Sequence, residues 1–387
     1  MPKRIISLFL SVIILSVTAF SAAEDKEKEE TKKGSGMVSA KSAILMEQTT
    51  MKPLYEQNAD EKVQIASVTK TMTMLLIMEA LDSGKIKYTD MVSTSEYAAS
   101  MGGSQVFLEP GEEMSVDDML KAICVSSGND AAVAMAEFVG GSCEAFVEMM
   151  NKRAAELGAK NTHFINCNGL DETAEHYSTA RDVAIISCEL LKHKDIEKYT
   201  KIWMDTLRGG KFGLSNTNKL IRFYKGANGI KTGSTSAAKY CLSASAERDG
   251  MQLVAVILGA PSTQERFGGA TKLLDYGFAN YAVFSAGKEK NKDKISVLGG
   301  EEDFADCYIS SGENIVVKKG EEKKIEIKKN LVPELKAPVK KGDKVGELKY
   351  TLGGKEIAKK DICAASDIKR ISILKMYLTV LKSSLAM

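Results

Sequence analysis

The chain contains 387 residues, of which 44% are hydrophobic and 27% are charged, so it is long enough for more than one globular domain. Its 53 basic and 51 acidic residues give a formal net charge of +2, and the two counts become equal when residues 1–23 are left out. A chain with this balance lacks the basic excess that binds phosphate backbones, and we expect no nucleic-acid partner.

The N-terminal segment, residues 1–23, has the pattern of a secretory signal peptide. Lys3 and Arg4 precede an apolar run that ends at Phe20 and is followed by three small residues. An uncleaved membrane anchor is the alternative, and both interpretations predict that the rest of the chain is exported. Residues 24–36 are strongly charged and lack large apolar side chains, so we predict a disordered linker there.

The region over residues 37–284 is predicted to be one domain in which helices pack on an antiparallel sheet. Strand patterns occur at both of its ends, helical patterns fill the middle, and Asp249-Gly250 is a strong hairpin turn. The predicted elements are a hairpin over 42–47 and 53–56, helices from 67 and from 115, strands over 229–233, 239–247 and 251–258, and a helix over 270–281. This order predicts an α/β fold of the α+β type.

The C-terminal region has a different pattern after a charged break at residues 288–294. Short alternating strands over 315–317 and 324–327, and turns such as Lys341-Gly342-Asp343, predict a small all-β domain, a β-sandwich, over residues 290–365.

The final segment, residues 367–387, has the spacing of an amphipathic helix. From Ile371 onward, large apolar residues cover one wide face of a helix, and Lys375 and Lys382 lie on the other. The apolar run is too short to span a bilayer, so we predict an anchor that lies in the membrane surface. Docking of the helix on the β-domain or on a protein partner is the alternative.

Cysteine and histidine patterns do not indicate a metal site. The seven cysteines are scattered and form no Cys-x-x-Cys, which argues against a zinc site and against a disulfide framework. The three histidines lie outside any recognisable serine-hydrolase context, and we interpret them as structural. We therefore expect no metal and no other cofactor.

Ser67 and Lys70 open the apolar helix and are the first candidates for catalysis. Residues three apart on a helix share a face, and a lysine that burial makes neutral can accept a proton from a serine hydroxyl. Because Ser-x-x-Lys occurs five times in the chain, the pair carries little weight by itself. Its position at the head of a buried helix distinguishes it from the other four.

Two further motifs follow in order: Ser127-Gly128-Asn129, and Lys231-Thr232-Gly233 at the end of a predicted strand. With Ser67-x-x-Lys70 they resemble the active-site set of penicillin-binding proteins and serine β-lactamases. Longer stretches look like D-alanyl-D-alanine carboxypeptidases, the low-molecular-weight penicillin-binding proteins. These stretches begin at 126, 157, 168, 177 and 229.

This resemblance implies the catalytic residues. Ser67 is expected to be the nucleophile that forms an acyl-enzyme, with Lys70 as its general base. Ser127 is expected to relay a proton to the leaving D-alanine. The backbone N–H groups of Ser67 and Ser234 are expected to stabilise the oxyanion.

The resemblance also implies the substrate-binding residues. Asn129 is expected to hold a substrate amide, and Lys231 and Thr232 are expected to face the substrate carboxylate. The positive charge of Lys231 is also expected to help keep Lys70 unprotonated. Arg266 matches the arginine that positions this carboxylate in the family. The complete predicted binding set is Asn129, Lys231, Thr232, Gly233, Ser234 and Arg266.

The predicted partners follow from the same resemblance. They are peptidoglycan stem peptides as substrates, β-lactam antibiotics as acylating inhibitors, and the membrane surface that the C-terminal helix contacts. The expected location is the cell-wall side of the cytoplasmic membrane. A serine β-lactamase is the nearest alternative, but the chain has no Glu-x-x-Leu-Asn loop for a deacylating water. A transpeptidase and a non-catalytic cell-wall-binding protein are further alternatives.

Overall fold

A computed structural model describes residues 36–170, 173–287, 293–310 and 314–378. The predicted signal peptide, the predicted linker up to residue 35, and residues 379–387 of the predicted anchor lie outside these ranges.

The strands of the described chain belong to five sheets. They are β1 (Ser42–Glu47), β2 (Pro53–Gln57), β3 (Met91–Ser93), β4 (Glu113–Ser115), β5 (Met204–Leu207), β6 (Phe212–Ser215), β7 (Ala227–Thr235), β8 (Lys239–Arg248), β9 (Met251–Ala260), β10 (Tyr281–Ser285), β11 (Lys294–Leu298), β12 (Phe304–Ile309), β13 (Asn314–Lys318), β14 (Glu326–Leu331), β15 (Glu334–Lys336), β16 (Lys344–Leu352) and β17 (Lys355–Ala364).

The helices lie almost entirely in the N-terminal part of the described chain. They are α1 (Lys70–Asp82), α2 (Glu96–Ala99), α3 (Val116–Ser126), α4 (Asn129–Gly140), α5 (Cys143–Glu156), α6 (Ala180–Leu190), α7 (Glu197–Thr200), α8 (Leu220–Phe223) and α9 (Thr263–Asn280). A further helical segment covers residues 373–378.

The central sheet has the strand order β2-β1-β9-β8-β7, and every neighbouring pair is antiparallel. The sequence of β9 explains its position in the middle of this sheet, because its apolar side chains alternate between two cores. Val254, Val256 and Leu258 face the core formed with α1 and its neighbouring helices. Leu253 and Ile257, with Ala255, face the core formed with α9. Since side chains alternate across a strand, a continuous apolar run is buried on both faces.

Helix α1 is buried on nearly all sides, as the apolar run over residues 74–78 predicts. Ten of its residues are buried, and they include Met74, Leu75 and Ile77. A helix with no polar face needs neighbours around its circumference, and α1 packs among the helices on one face of the sheet. The active-site candidates at its start therefore sit on a rigid element.

Helix α9 covers the opposite face of the sheet and is longer than its sequence predicts. The apolar spacing indicates a start at Ala270, whereas the helix begins at Thr263 because the Ser262 side chain accepts a hydrogen bond from the Glu265 N–H and caps it. Near its other end, a Cβ at Gly277 would lie 2.5 Å from Leu253 Cδ1. The glycine therefore lets α9 approach β9 closely.

The C-terminal strands form a six-stranded sheet in the order β14-β16-β17-β12-β11-β15, in which β11 and β15 pair in parallel. Strands β10 and β13 form a separate antiparallel pair, and Phe284 of this pair packs edge-to-face on Tyr350 with ring centroids 5.9 Å apart. Ile315 and Val317 face this β core, whereas Val316 faces α9. Strand β13 therefore contributes to both cores.

These features confirm the predicted fold class, an antiparallel sheet flanked by helices with an all-β C-terminal part. The strand predicted over 324–327 is displaced, because Glu322–Lys324 form a 3-10 turn and β14 begins at Glu326. The apolar side chains of residues 373–378 are exposed, with Ile373 at 84% and Leu374 at 70%. Within the described ranges, no helix has the length and apolar character needed to cross a bilayer.

Candidate active site

Ser67 lies in a single 3-10 turn, Ala66–Thr69, that leads directly into α1. Ala66 adopts a left-handed conformation with φ of 47°. Two glycines pack closely around this turn: a Cβ at Gly169 would lie 2.0 Å from Ala66 O, and a Cβ at Gly233 would lie 2.9 Å from Ser67 N. Both approaches require glycine. The turn is therefore clamped between the 166–170 segment and strand β7.

Lys70 is the first residue of α1, and its side chain is completely buried. Its Nζ lies 3.0 Å from Ser67 Oγ and donates to Asn129 Oδ1 at 2.5 Å and to the Asn168 carbonyl at 2.8 Å. The amine thus touches the candidate nucleophile and two elements that the sequence separates by 59 and 98 residues.

Burial lowers the pKa of Lys70 well below its usual value, and the positive charge of Lys231 lowers it further. Lys231 is also fully buried, and loss of hydration lowers the pKa of Lys231 to about 7. Two nearby cations in one dry site disfavour each other, so one of them gives up its proton readily. A neutral Lys70 at 3.0 Å from Ser67 Oγ can accept the hydroxyl proton.

Ser127 and Asn129 come from the junction between α3 and α4. Ser127 ends α3 in the left-handed region, with φ of 62° and ψ of 30°, and is 3% exposed. Asn129 begins α4; besides accepting from Lys70, its Nδ2 donates to the Gly102 carbonyl at 2.7 Å. The tight junction thereby places Asn129 against Lys70, with Ser127 two residues before it.

The opposite wall is β7, one of the two edge strands of the central sheet. Lys231 Nζ donates to the Thr232 carbonyl at 2.9 Å, and Thr232 Oγ1 donates to Thr217 Oγ1 at 2.7 Å. Gly233 touches the Ser67 turn, and Ser234 beside it is exposed. Edge-strand backbone groups can pair with an extended peptide, so this wall is suited to hold one.

Arg266 reaches the site from α9 on the other face of the sheet. It is 7% exposed, and its Nη1 donates to the carbonyls of Gly233 at 3.3 Å and Cys241 at 3.4 Å. Its guanidinium also lies 4.6 Å from the Phe267 ring centroid and 5.6 Å from that of Tyr240. Burial lowers the pKa of Arg266 from its usual high value. The structure thus brings a cation beneath the end of β7.

Several residues that support the site were not among the predicted set. Asp130 accepts from the N–H groups of Val106 and Leu108 at 3.0 and 3.1 Å and so positions the loop that lines the α4 wall. The Asn168 carbonyl binds Lys70, and Thr217 binds Thr232. Asp130 and Asn168 lie in stretches of sequence that resemble the family, 126–132 and 168–171, so the sequence carried a signal for both. Nothing in the local sequence marks Thr217.

His176 is another unpredicted member of this support. Ile165 N–H donates to its Nδ1 at 3.3 Å, so Nε2 carries the proton and donates to Thr69 Oγ1 at 2.7 Å. Thr69 in turn donates to the Ala66 carbonyl at 2.8 Å. His176 therefore braces the nucleophile turn, in agreement with the structural role expected for the histidines. Among the described residues, no three His, Cys, Asp or Glu side chains are placed to hold a metal ion.

Comparisons with known proteins agree with this geometry. The D-alanyl-D-alanine carboxypeptidase family matches residues 26–262, and the C-terminal domain of penicillin-binding protein 5 matches residues 278–370. The chain is 47% identical over 382 residues to D-alanyl-D-alanine carboxypeptidase DacF of Bacillus subtilis, with 96% of each chain covered. It is 34% identical to D-alanyl-D-alanine carboxypeptidase DacC of Escherichia coli, with 92% of this chain and 90% of that one covered.

A solved structure is similar over most of the chain. Penicillin-binding protein 5 from Haemophilus influenzae superposes with a TM-score of 0.75 at 33% identity, covering 86% of this chain and 98% of that one. The matches cover both the helical part with its central sheet and the all-β C-terminal part, which confirms the resemblance that the motifs indicated. The chain belongs to the D-alanyl-D-alanine carboxypeptidase family and is a serine hydrolase of the penicillin-binding protein type.

Proposed function

We propose that the protein removes the terminal D-alanine from peptidoglycan stem peptides through an acyl-enzyme on Ser67. The observation that carries the proposal is the position of the buried Lys70 amine, 3.0 Å from Ser67 Oγ and beside a second buried lysine. A hydroxyl with its base already in hydrogen-bond contact is the arrangement that nucleophilic catalysis needs.

In the acylation step, Lys70 takes the hydroxyl proton while Ser67 Oγ attacks the carbonyl carbon of the penultimate D-alanine. The carbonyl oxygen becomes negatively charged and accepts hydrogen bonds from the N–H groups of Ser67 and Ser234. The close approach of Gly233 to Ser67 N, where a Cβ would lie at 2.9 Å, supports this pairing because it brings β7 beside the nucleophile turn.

The leaving group must then receive a proton before D-alanine departs. Ser127 lies at the end of α3 beside Asn129, which itself contacts Lys70, so its hydroxyl is suited to pass the proton from Lys70 to the departing amine. The C–N bond breaks and an ester to Ser67 remains. A water molecule, deprotonated by the same lysine, hydrolyses the ester and regenerates the enzyme.

In this proposal, groups at the end of β7 bind the free terminal carboxylate of the substrate. Lys231 supplies a positive charge there, Thr232 a hydroxyl held by Thr217, and Arg266 a second positive charge from below. Asn129 at the opposite wall provides the amide contact for the stem peptide. A β-lactam presents a carboxylate and a reactive amide in a similar arrangement, so we expect penicillins to acylate the same serine.

The proposed location is the outer side of the cytoplasmic membrane, after export and removal of residues 1–23. The exposed apolar side chains of residues 373–378 support a surface anchor, since exposed apolar groups of this density need a partner or a membrane. We also propose the predicted division into a linker (24–36), a peptidase domain (37–284), a β-domain (290–365) and an anchor helix (367–387).

The test is covalent labelling with fluorescent penicillin together with release of D-alanine from a peptide that ends in D-Ala-D-Ala. Wild-type protein should do both, and Ser67→Ala should do neither while keeping its circular-dichroism spectrum. Ser236→Ala is the matched control, because Ser236 opens another Ser-x-x-Lys and is exposed. Labelling of the Ser67→Ala protein, or D-alanine release that penicillin does not block, would overturn the proposal.

A further inference from the structure

A cavity of about 580 Å³ lies at the turn between β7 and β8. Its volume is typical of sites that bind small molecules, which measure about 300–1,000 Å³. Separate parts of the chain line this charged cavity, and the lining includes Lys41, Glu61, Lys62, Gln64, Tyr177 and Ala238. Among the described residues that line it, none is assigned above to catalysis or to carboxylate binding.

The charged cavity continues the cleft between the nucleophile turn and β7. A Cβ at Gly233 would lie 2.9 Å from Ser67 N, so the two segments touch at the nucleophile. The cavity is lined by residues 63–64, just before this contact on one segment, and by residues 237–238, just after it on the other. A substrate that leaves the nucleophile along β7 therefore approaches the cavity.

The proposed function sets the direction of the substrate along β7. The terminal carboxylate is assigned to Lys231 and Thr232, and the oxygen of the scissile carbonyl to the N–H groups of Ser67 and Ser234. A peptide that pairs with β7 therefore runs antiparallel to it, and its N-terminal part lies toward residues 235–238. An extended chain rises about 3.4 Å per residue, so a long side chain on the residue before the two D-alanines would reach the charged cavity.

The two cations of the charged cavity are held in place by packing. Lys62 Nζ lies over the Tyr177 ring, 4.7 Å from its centroid. The aliphatic part of Lys41 packs on Gly259, where φ is 69° and a Cβ would lie 2.9 Å from Lys41 Cγ. Within the described ranges, neither lysine has an acidic side chain at ion-pair distance. Both positive charges are therefore available to an anionic ligand.

The lining also contains an acid and an amide. Glu61 is exposed, and its N–H donates to the Asn58 carbonyl at 3.0 Å, which fixes the backbone at this position. Gln64 Nε2 donates to the Thr173 carbonyl, which leaves Gln64 Oε1 as an acceptor. The charged cavity thus offers acceptors for an ammonium group and two cations for a carboxylate.

We propose that the charged cavity binds the side chain of the stem-peptide residue before the two D-alanines, and that it selects a side chain whose end carries both an ammonium and a carboxylate group. Lys41 and Lys62 bind the carboxylate, and Glu61 and Gln64 bind the ammonium. A side chain that ends in an ammonium alone meets two cations with no carboxylate to neutralise them, which disfavours it. The proposal rests on the proposed function, because that function sets the direction of the peptide.

Two pentapeptides of the form L-Ala-γ-D-Glu-X-D-Ala-D-Ala test this selection, with meso-diaminopimelate or L-lysine as X. They differ by one carboxylate, on the carbon that carries the side-chain amine. Two quantities are measured for each peptide. The first is kcat/KM for D-alanine release by the wild-type protein, and the second is the dissociation constant for the Ser67→Ala protein, which needs no turnover.

We expect both quantities to favour the diaminopimelate peptide about fivefold, because a partly exposed ion pair changes an affinity by up to about fivefold. Lys41→Gln and Lys62→Gln keep the aliphatic chain and remove the charge, so each should lower the preference about twofold and the double variant should abolish it. Lys62→Arg keeps the charge and should keep the preference. Glu61→Gln should weaken both peptides equally. Lys272→Ala, on α9, is the control for loss of a lysine elsewhere.

Penicillin has no counterpart of the long side chain, so all of these variants should be labelled at the wild-type rate. Equal or reversed values for the two peptides in wild type would overturn the proposal, as would a preference that the double lysine variant retains. Slow labelling of the double variant would also overturn it, since the lysines would then support the nucleophile turn. If wild type releases D-alanine from neither peptide, the proposed function fails, and the affinities of Ser67→Ala still decide whether the charged cavity selects the carboxylate.

Discussion

The amine of Lys70 lies 2.5 Å from the amide oxygen of Asn129, and this contact joins the helix behind the nucleophile to the helix on the opposite wall of the site. The amide is neutral, so it accepts a hydrogen bond without adding a negative charge beside the lysine. A neutral partner lets burial and Lys231 keep the pKa of Lys70 low.

Asn129→Asp should therefore shift the pH dependence of acylation. A carboxylate at this distance favours the protonated lysine and raises the pKa of Lys70, typically by about one to three units. Because acylation needs neutral Lys70, the rising limb of kcat/KM against pH should move to higher pH by that amount. The measurement is penicillin labelling between pH 4 and 10. Asn129→Ser, which adds no charge, should lower the rate and leave the limb in place; equal shifts in both variants would contradict the explanation.

Lys231→Arg should change the limb of the pH profile on which kcat/KM falls at high pH. Since the pKa of Lys231 is about 7, the residue loses its charge as the pH rises through that value, and attraction of the substrate carboxylate falls with it. We expect kcat/KM for D-alanine release from the free acid to decline above about pH 7 in wild type. An arginine stays protonated, so the decline should move upward in pH. A peptide amide, which has no carboxylate, should show no such decline in either protein.

Thr69→Val and Thr71→Val should differ in stability although both residues are buried at the start of α1. Thr69 links His176 to the Ala66 carbonyl, and its loss removes the hydroxyl that accepts from His176 Nε2 and donates to that carbonyl, which costs about 1–3 kcal/mol. The buried Thr71 hydroxyl has no hydrogen-bond partner among the residues that the structure describes, so a valine there should be neutral or stabilising. Urea unfolding of the two variants measures the difference; equal destabilisation would remove His176 from the support of the turn.

Arg266→Ala should weaken discrimination for a free terminal carboxylate. A hydrogen bond to a charged group contributes about 1.5–3 kcal/mol, so the ratio of kcat/KM for the D-Ala-D-Ala acid over its amide should fall about tenfold or more. Penicillin acylation should fall less, because the strained ring supplies part of the reactivity. Arg248→Ala is the control, since Arg248 also stacks on aromatic rings, those of Tyr224 and Phe278, but at the far end of β8. An unchanged ratio in Arg266→Ala would leave recognition to Lys231 and Thr232.

Deleting residues 372–387 should release the exported protein from membranes without loss of activity on small peptides. The cut keeps the hydrogen bond from Ile371 N to the Gly299 carbonyl and removes the exposed apolar side chains that follow. Flotation with vesicles of anionic lipid measures the effect, and the pair Ile373→Ser and Leu374→Ser in the full chain should reproduce it. Retention of the truncated protein, with residues 1–23 confirmed absent, would place the anchor elsewhere.

The sequence by itself determined the strands of the central sheet, the buried helix and the identity of the three motifs. A strand that is apolar along its whole length, such as β9, is buried only when a core covers each of its faces. A mostly apolar helix such as α1 likewise needs other helices around it. The local sequence pattern was therefore enough to predict the burial of both elements. The predicted start of α9 was wrong because Gly268 and Gly269 interrupt its apolar spacing. The residue that marks the true start of the helix is its N-cap, Ser262.

Only the tertiary structure decided which groups surround Lys70. Its partners, Ser67, Asn129 and the Asn168 carbonyl, come from three separate segments, and the last of these is a backbone group that any residue could supply. The sequence also gave no sign of the contacts that Thr217 and His176 make. The physical reason is that apolar periodicity reports burial along one element, whereas the protonation of a lysine depends on every charge and dipole that folding brings within a few ångströms of it.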